Sequence, residues 1–357
     1  VALATLYREH VPYPCMVSGW LTGSGYMSRM TGRDYWSDPL GVWLEFIRLI
    51  GTNFIPQWYY PTEPHRRLEQ GQIMHETGQH EVAGFTSPEA VLEWIDRLPD
   101  DDQVIRGYNI EATADAYAAE ITRQHNLVGP DILVISHFGQ ADFMGGYSIF
   151  GYENYLAAAA MDPKAMRRYY HHTALHGRLL NQAIVLAVEK HGIAPFCYTG
   201  QDICGANGPL MSPTMLRGIY FPELKWCMEP LAEGNVGVIW HCDGDIRPIL
   251  PDIMDLGVIG LQGFEEEHGV DYEQIVGLKD KEGKPIIVWG CVSVTSTLPH
   301  GTPQDVRASV ERSYTLAGPG RGHILAPTSS ILPGTPDENV EAFFTHGIRF
   351  GREFLGA

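Results

Sequence analysis

After about residue 130 the chain alternates short apolar, β-rich runs with longer helical stretches, and this alternation restricts its fold more than any other feature. The first run is 131–136, DILVIS. A helical stretch over 163–190 follows and is ended by His191-Gly192, because glycine suits the left-handed cap. Further runs at 193–198, 236–240, 258–261, 285–289 and 322–326 alternate with helical stretches at 222–232, 247–256, 271–278, 302–317 and 337–354. Strands and helices that alternate through short loops predict a parallel sheet covered by helices, an α/β fold. No GxGxxG or GxxxxGK[ST] segment marks a nucleotide-binding open sheet. A closed (β/α)8 TIM barrel spanning 1–357 fits better. Upstream, 12–18 and 53–59 read as strands with a helix at 43–50 between them, and the polar, irregular stretch 61–110 reads as an N-terminal insertion or lid over the barrel mouth.

Composition narrows the partners. With 25 basic and 43 acidic residues the formal charge is −18, which argues against nucleic acid and anionic membrane surfaces, since both require a basic footprint. Six cysteines show no CxxC pair and no finger spacing, as expected of free thiols in a reducing compartment. No apolar run approaches the roughly 20 residues of a membrane span. The segment VALATLYREHVPYPC lacks a signal-peptide layout, so the cytoplasm is the expected location.

In an α/β barrel the carboxyl ends of the strands face one opening, and chemistry sits there. The segment VGVIWHCDGD (236–245) ends an apolar run in an imidazole, a thiol and two carboxylates. His241 there is a candidate metal ligand, general acid or base, or substrate-orienting donor, set against an ordinary loop-bonded histidine. Asp243 is a candidate cation ligand or proton acceptor, set against a turn residue before Gly244. Asp202, within the glycine-rich GQDICGANGP, and Glu265, within an acidic run, are further catalytic candidates. His137, Cys291 and Ser329 also fall at strand ends, as candidate substrate contacts. Trp58 and Tyr59, with Trp20, Trp36 and Tyr60, form an aromatic group suited either to stacking on a flat ligand or to packing the lid. His172 and His176 have i, i+4 spacing but no adjacent Glu, so an exposed polar helix face is the favoured reading.

From about residue 133 to 354 the chain resembles the superfamily of uroporphyrinogen decarboxylase and the corrinoid-linked methyltransferases. The segments that carry the likeness are GQDICGANGPLMSPTMLRGIYFPELK, HCDGDIRPILPDIMDLGVIGLQ, GTPQDVRAS and HILAPTSSILPGTPDENVEAF. The resemblance implies a (β/α)8 barrel with its cleft at the carboxyl ends. The decarboxylase branch carries an arginine-rich segment near its N-terminus, where this chain has VPYPCMVSGWLTGSGY without arginine. It also uses an aspartate after its second strand, absent from 53–60, and a histidine that falls on Ser329. A pocket poor in cations binds a polycarboxylate badly. The methyltransferase branch holds zinc through His-x-Cys and a distant Cys. Here the histidine matches His241, and the cysteines fall on Asp243 and Ser329, so the usual thiolates are missing.

The resemblance therefore favours a corrinoid-linked methyltransferase acting on a small methyl donor or acceptor, such as an aryl methyl ether. His241 and Asp243 are its candidate metal ligands. No D-x-H-x-x-G cobalamin motif occurs, so the corrinoid is expected on a separate partner protein; a homodimer is a candidate assembly. The alternatives are a decarboxylase (lyase) acting on a smaller acid, for which Arg29, Arg33, Arg66 and Arg67 are available, and a non-catalytic small-molecule binder.

Overall fold

The computed structural model describes residues 1–63, 85–290, 292–318 and 322–356. Cys291 and the 64–84 portion of the expected lid lie outside the described residues. Eight short strands point the same way: β1 (Cys15–Met16), β2 (Phe54–Ile55), β3 (Leu133–Val134), β4 (Phe196–Gly200), β5 (Gly237–Gly244), β6 (Gly260–Phe264), β7 (Ile287–Trp289) and β8 (His323–Leu325). Six of them form one parallel half-barrel sheet in the order β1-β8-β7-β6-β5-β4, and β2 pairs in parallel with β3. The pair is tied to the arc on both sides. Asn53 N donates to Met16 O at 3.2 Å, and Tyr198 N donates to Ser136 O at 3.1 Å.

The period of two along each strand sorts the side chains onto two faces. One set gathers Cys15, Val17, Phe54, Ile135, Phe196, Tyr198, Ile239, Ile287, Trp289, Ile324 and Ala326 into a single apolar cluster, with contributions from both the arc and the pair. The opposite set, including Val134, Cys197, Val238, Trp240, Leu261, Val288 and Leu325, packs against the helices in a larger core. The longest helix, Pro163–His191, runs beneath that core. Asp162 caps its start, and Gly192 at φ 66° ends it as the sequence predicts. Buried Asn181 fastens it to the sheet side by donating to Gly139 O at 3.0 Å and Cys227 O at 2.8 Å.

One reading is corrected. The stretch 61–110 is not irregular where it is described: it forms helices Pro88–Asp96 and Asp101–Gly107. Their start signals are Ser87, accepting from Ala90 N, and an Asp100/Gln103 capping box, both local patterns that outweigh the polar composition. They pack on the long helix, where Val104 meets Leu175 and Leu179 and Arg168 donates to Leu98 O at 2.8 Å. The C-terminal helix runs on from Asp337–Glu341 to Gly347–Leu355 through a π-helical turn, Ala342–His346. No helix among the described residues is long and apolar enough to cross a membrane.

Candidate active site

Consecutive parallel strands place the end of β4 beside β5, and β5 beside β6. The register sets Gly200 against His241 and His241 against Gln262. Asp202, two residues beyond Gly200, and Asp243, two beyond His241, therefore reach the same level on the same face. The result is a compact cluster in which one ligand atom each from Asp202, His241 and Asp243 lies within 4.8 Å of the others. His241 Nε2 is 3.1 Å from Asp202 Oδ1 and 3.7 Å from Asp243 Oδ1. Asp243 N donates to Asp202 Oδ1 at 3.4 Å, and Ser329 Oγ donates to Asp243 Oδ2 at 3.2 Å.

Gln262, which sequence reasoning missed, sets the ring of His241. Its Nε2 donates to Thr328 O at 2.6 Å, so its oxygen faces the other way and accepts from Tyr198 OH at 2.7 Å and from His241 Nδ1 at 2.5 Å. Nδ1 must therefore carry a proton, and Nε2 is the atom presented to the two carboxylates. The signal was present: a lone glutamine inside the buried strand GLQGF, where every residue is buried, needs a polar partner on the same face.

Gly263 completes the arrangement. It sits at φ +98°, and a Cβ there would meet His241 Nδ1 at 2.5 Å, its Cε1 at 2.7 Å and Asp243 Oδ1 at 2.9 Å. Only glycine leaves room for the imidazole between the strands.

The electrostatics follow from this packing. Burial opposes a charge on His241, but Asp243 and then Asp202 outweigh it and push its pKa up to about 10. Burial lifts Asp243 to about 6; Asp202 and Glu265 reinforce the rise, against the pull of His241 and Ser329. Burial also works against ionised Asp202, yet the hydrogen bond and charge of His241 hold it below the usual carboxylate range. Asp243 Oδ1 is buried with no hydrogen-bond partner among the described residues, an acceptor aimed into the cluster and left unsatisfied.

The remaining predicted residues scatter. Glu265 is buried with Oε2 3.0 Å from His268 Nδ1, close enough to act on Asp243 through space. His137 is exposed at the end of β3, its Nδ1 3.2 Å from Ser136 Oγ. Trp58 and Tyr60 both pack on Trp43, at ring separations of 4.9 and 5.4 Å, and Arg123 lies over Trp58. These contacts pack Trp58 against the core; Tyr59 is half-buried on the same loop, which follows β2. Trp20 behaves differently. It stacks on Tyr198 at 5.7 Å and on Trp289 at 6.3 Å, and Nε1 donates to Gln57 Oε1 at 3.0 Å. Its φ of 46° is an outlier for so bulky a residue. Trp20, Tyr198 and Trp289 form an aromatic floor that reaches His241 through Tyr198. On the long helix His171 bridges Glu223 at 2.8 Å and Asp101 at 3.1 Å, while His172 is half-buried and His176 is exposed, as a polar face requires.

Residues 144–347 match the family model described as Uroporphyrinogen decarboxylase (URO-D), more than half of the chain. The chain belongs to the uroporphyrinogen decarboxylase family. Members of this family are enzymes, and the cluster at the ends of β4 and β5 falls inside the matched region. Among solved structures the chain is similar to a methyltransferase from Methanosarcina mazei, with a TM-score of 0.60 and 19% identity over 98% of this chain and 97% of that one. At that identity the likeness shows a shared fold. No curated protein sequence matches the chain.

Proposed function

We propose that this protein is a methyltransferase that works with a corrinoid carried by a partner protein, and that its arc and strand pair close into one (β/α)8 ring around the reacting molecule. Closure is supported by the hydrogen bonds from Asn53 to Met16 and from Tyr198 to Ser136, and by the shared interior apolar cluster. The observation that carries the functional reading is the Asp202–His241–Asp243 cluster with its unsatisfied carboxylate oxygen.

The positions that correspond to the two zinc-binding cysteines of the methyltransferase branch, Asp243 and Ser329, meet in space at 3.2 Å. The site is thus retained and its donors are changed. A soft, thiolate-rich zinc centre does not fit. One imidazole and two carboxylates do fit a divalent cation, zinc included. Asp202, His241 and Asp243 would hold it, and the ion would supply Lewis acidity toward the oxygen of the leaving group. Gln262 keeps a proton on His241 Nδ1, so a cation would displace the second proton, on Nε2, and take that atom as its ligand, as outer partners of metal-bound histidines arrange. Ser329 orients Asp243. The half-buried ring of Trp20, backed by the buried Tyr198 and Trp289, offers a flat apolar surface for the body of an aryl methyl ether.

Metal analysis of the purified protein tests the reading, together with methyl transfer from a panel of aryl methyl ethers to free cob(I)alamin. Stoichiometric divalent metal that is lost in His241→Ala, with turnover on at least one ether, is the expected result. A metal-free protein that releases CO₂ from a small acid would replace it with the lyase alternative.

A further inference from the structure

A cavity lies between the long helix Pro163–His191 and the helices Pro88–Asp96 and Phe143–Phe150, with Gln201, the neighbour of Asp202, in its wall. Its volume is about 580 Å³, within the range of sites for small organic molecules. Four aromatic side chains line it: Trp94, Tyr108, Phe138 and Tyr169. Phe138 and Tyr169 belong to the core between sheet and helices, and none of Asp202, His241 and Asp243 lines this space. Trp94 is 37% exposed, yet edge contacts with Phe85 at 6.4 Å and Phe150 at 5.2 Å fix its ring.

Three acceptor groups in the wall lack full satisfaction. Tyr169 is 2% exposed and its hydroxyl has no hydrogen-bond partner; the side-chain oxygen of Gln140 is likewise buried and unpartnered. Asp142 caps Phe143–Phe150 by accepting from Gly145 N at 2.7 Å, and among the described residues no arginine or lysine pairs with it. Burial raises its pKa, as expected of a carboxylate without a counter-charge. An open, aromatic-lined recess with one carboxylate that no lysine or arginine pairs, beside two histidines, His172 and His176, that burial holds toward the neutral form, is the chemistry that recognises an organic ammonium ion. The ring faces attract the cation, the carboxylate pairs with it, and the apolar walls cover its alkyl groups.

We infer that this cavity is a binding site for a small alkylated ammonium ion, separate from the Asp202–His241–Asp243 cluster and independent of the reaction proposed there.

Isothermal titration of the full-length protein with choline, against its neutral isostere 3,3-dimethylbutan-1-ol, tests the inference. Choline is expected to bind saturably at one site, roughly tenfold more tightly than the isostere. Asp142→Asn keeps the helix cap and removes the charge; Trp94→Ala removes a surface aromatic without opening the core. Each is expected to weaken choline roughly tenfold while Asp202→Asn leaves it unchanged. Equal affinity for the isostere, no saturable binding of choline, or loss in Asp202→Asn with retention in Asp142→Asn and Trp94→Ala would each overturn the assignment.

Discussion

Replacing Gly263 by alanine tests the geometry of the cluster most directly. The residue sits at φ +98°, where an L side chain costs about 1–2 kcal/mol in backbone strain. The new methyl would lie 2.5 Å from His241 Nδ1, about 1 Å inside normal contact. The imidazole must retreat by that amount, which breaks its bond to Gln262 and stretches its contact with Asp202. Hydrogen bonds to a charged group are worth about 1.5–3 kcal/mol each. The expected total is roughly 3–5 kcal/mol, within the roughly 5–15 kcal/mol of an average domain, so the variant should still fold. Gly208→Ala is the matched control. Its φ is +108°, and its nearest new neighbour is Pro248 Cγ at 3.8 Å, an ordinary contact. It should lose only the backbone part. Urea unfolding of both variants isolates the contribution of the site as their difference, about 2–3 kcal/mol. Zinc affinity, measured by competition with a chromophoric chelator, should fall at least about tenfold in Gly263→Ala and stay constant in Gly208→Ala. Equal unfolding energies for the two variants, with zinc affinity untouched, would show that Gly263 does not hold the imidazole in place.

Other perturbations separate the parts of the structure. Gln262→Leu leaves the partners of Gln262 in place but removes the acceptor that fixes the His241 proton on Nδ1; zinc affinity should drop about 10–100-fold with the secondary structure unchanged by circular dichroism. Arg8 pairs with Asp280 at 2.5 Å, with side chains only 10% and 4% exposed. Arg8→Met should therefore destabilise by about 3–5 kcal/mol in urea, and Arg8→Met with Asp280→Asn should recover much of that loss, because the single change strands a buried carboxylate. His323 has its pKa pushed down to about 3 by burial. Below about pH 6.5 the unfolded chain binds a proton that the folded chain refuses. Stability should therefore fall as the pH drops from about 6.5 toward 3, by up to about 1.4 kcal/mol per unit. Unfolding midpoints across that window should decline less steeply in His323→Gln, and parallel slopes would contradict the assignment.

How much of this was legible in the sequence depends on which physical signal each part uses. The strands after residue 130 were visible as buried apolar runs, and the long helix as a periodic stretch with a glycine stop, because local patterning and burial agree there. The helices at Pro88–Asp96 and Asp101–Gly107 were missed because their polar faces dominate the composition, although Ser87 and the Asp100/Gln103 box mark their starts. Ser329 stood out as a polar group at a strand end, but its contact with Asp243 did not, since it follows β8 on a loop whose path no periodicity reports. The cluster itself was half-legible. Asp202, His241 and Asp243 stood out as polar groups at the ends of apolar runs, but those runs could not say which strands are neighbours. Register decides that question. A shift of one residue between β5 and β6 would turn Gln262 to the outer face and leave His241 Nδ1 against an apolar strand. The histidine would then have no fixed tautomer, and Nε2 no constant role. The choice of His241 as the chemical centre therefore rests on a pairing, His241 against Gln262, that neither segment displays alone. Within GLQGF the two residues that break the apolar pattern, Gln262 and Gly263, are those that bond the imidazole and make room for it. In a barrel of this kind, a polar residue followed by glycine in an otherwise apolar strand is as informative about the site as the reactive residues on the strand beside it.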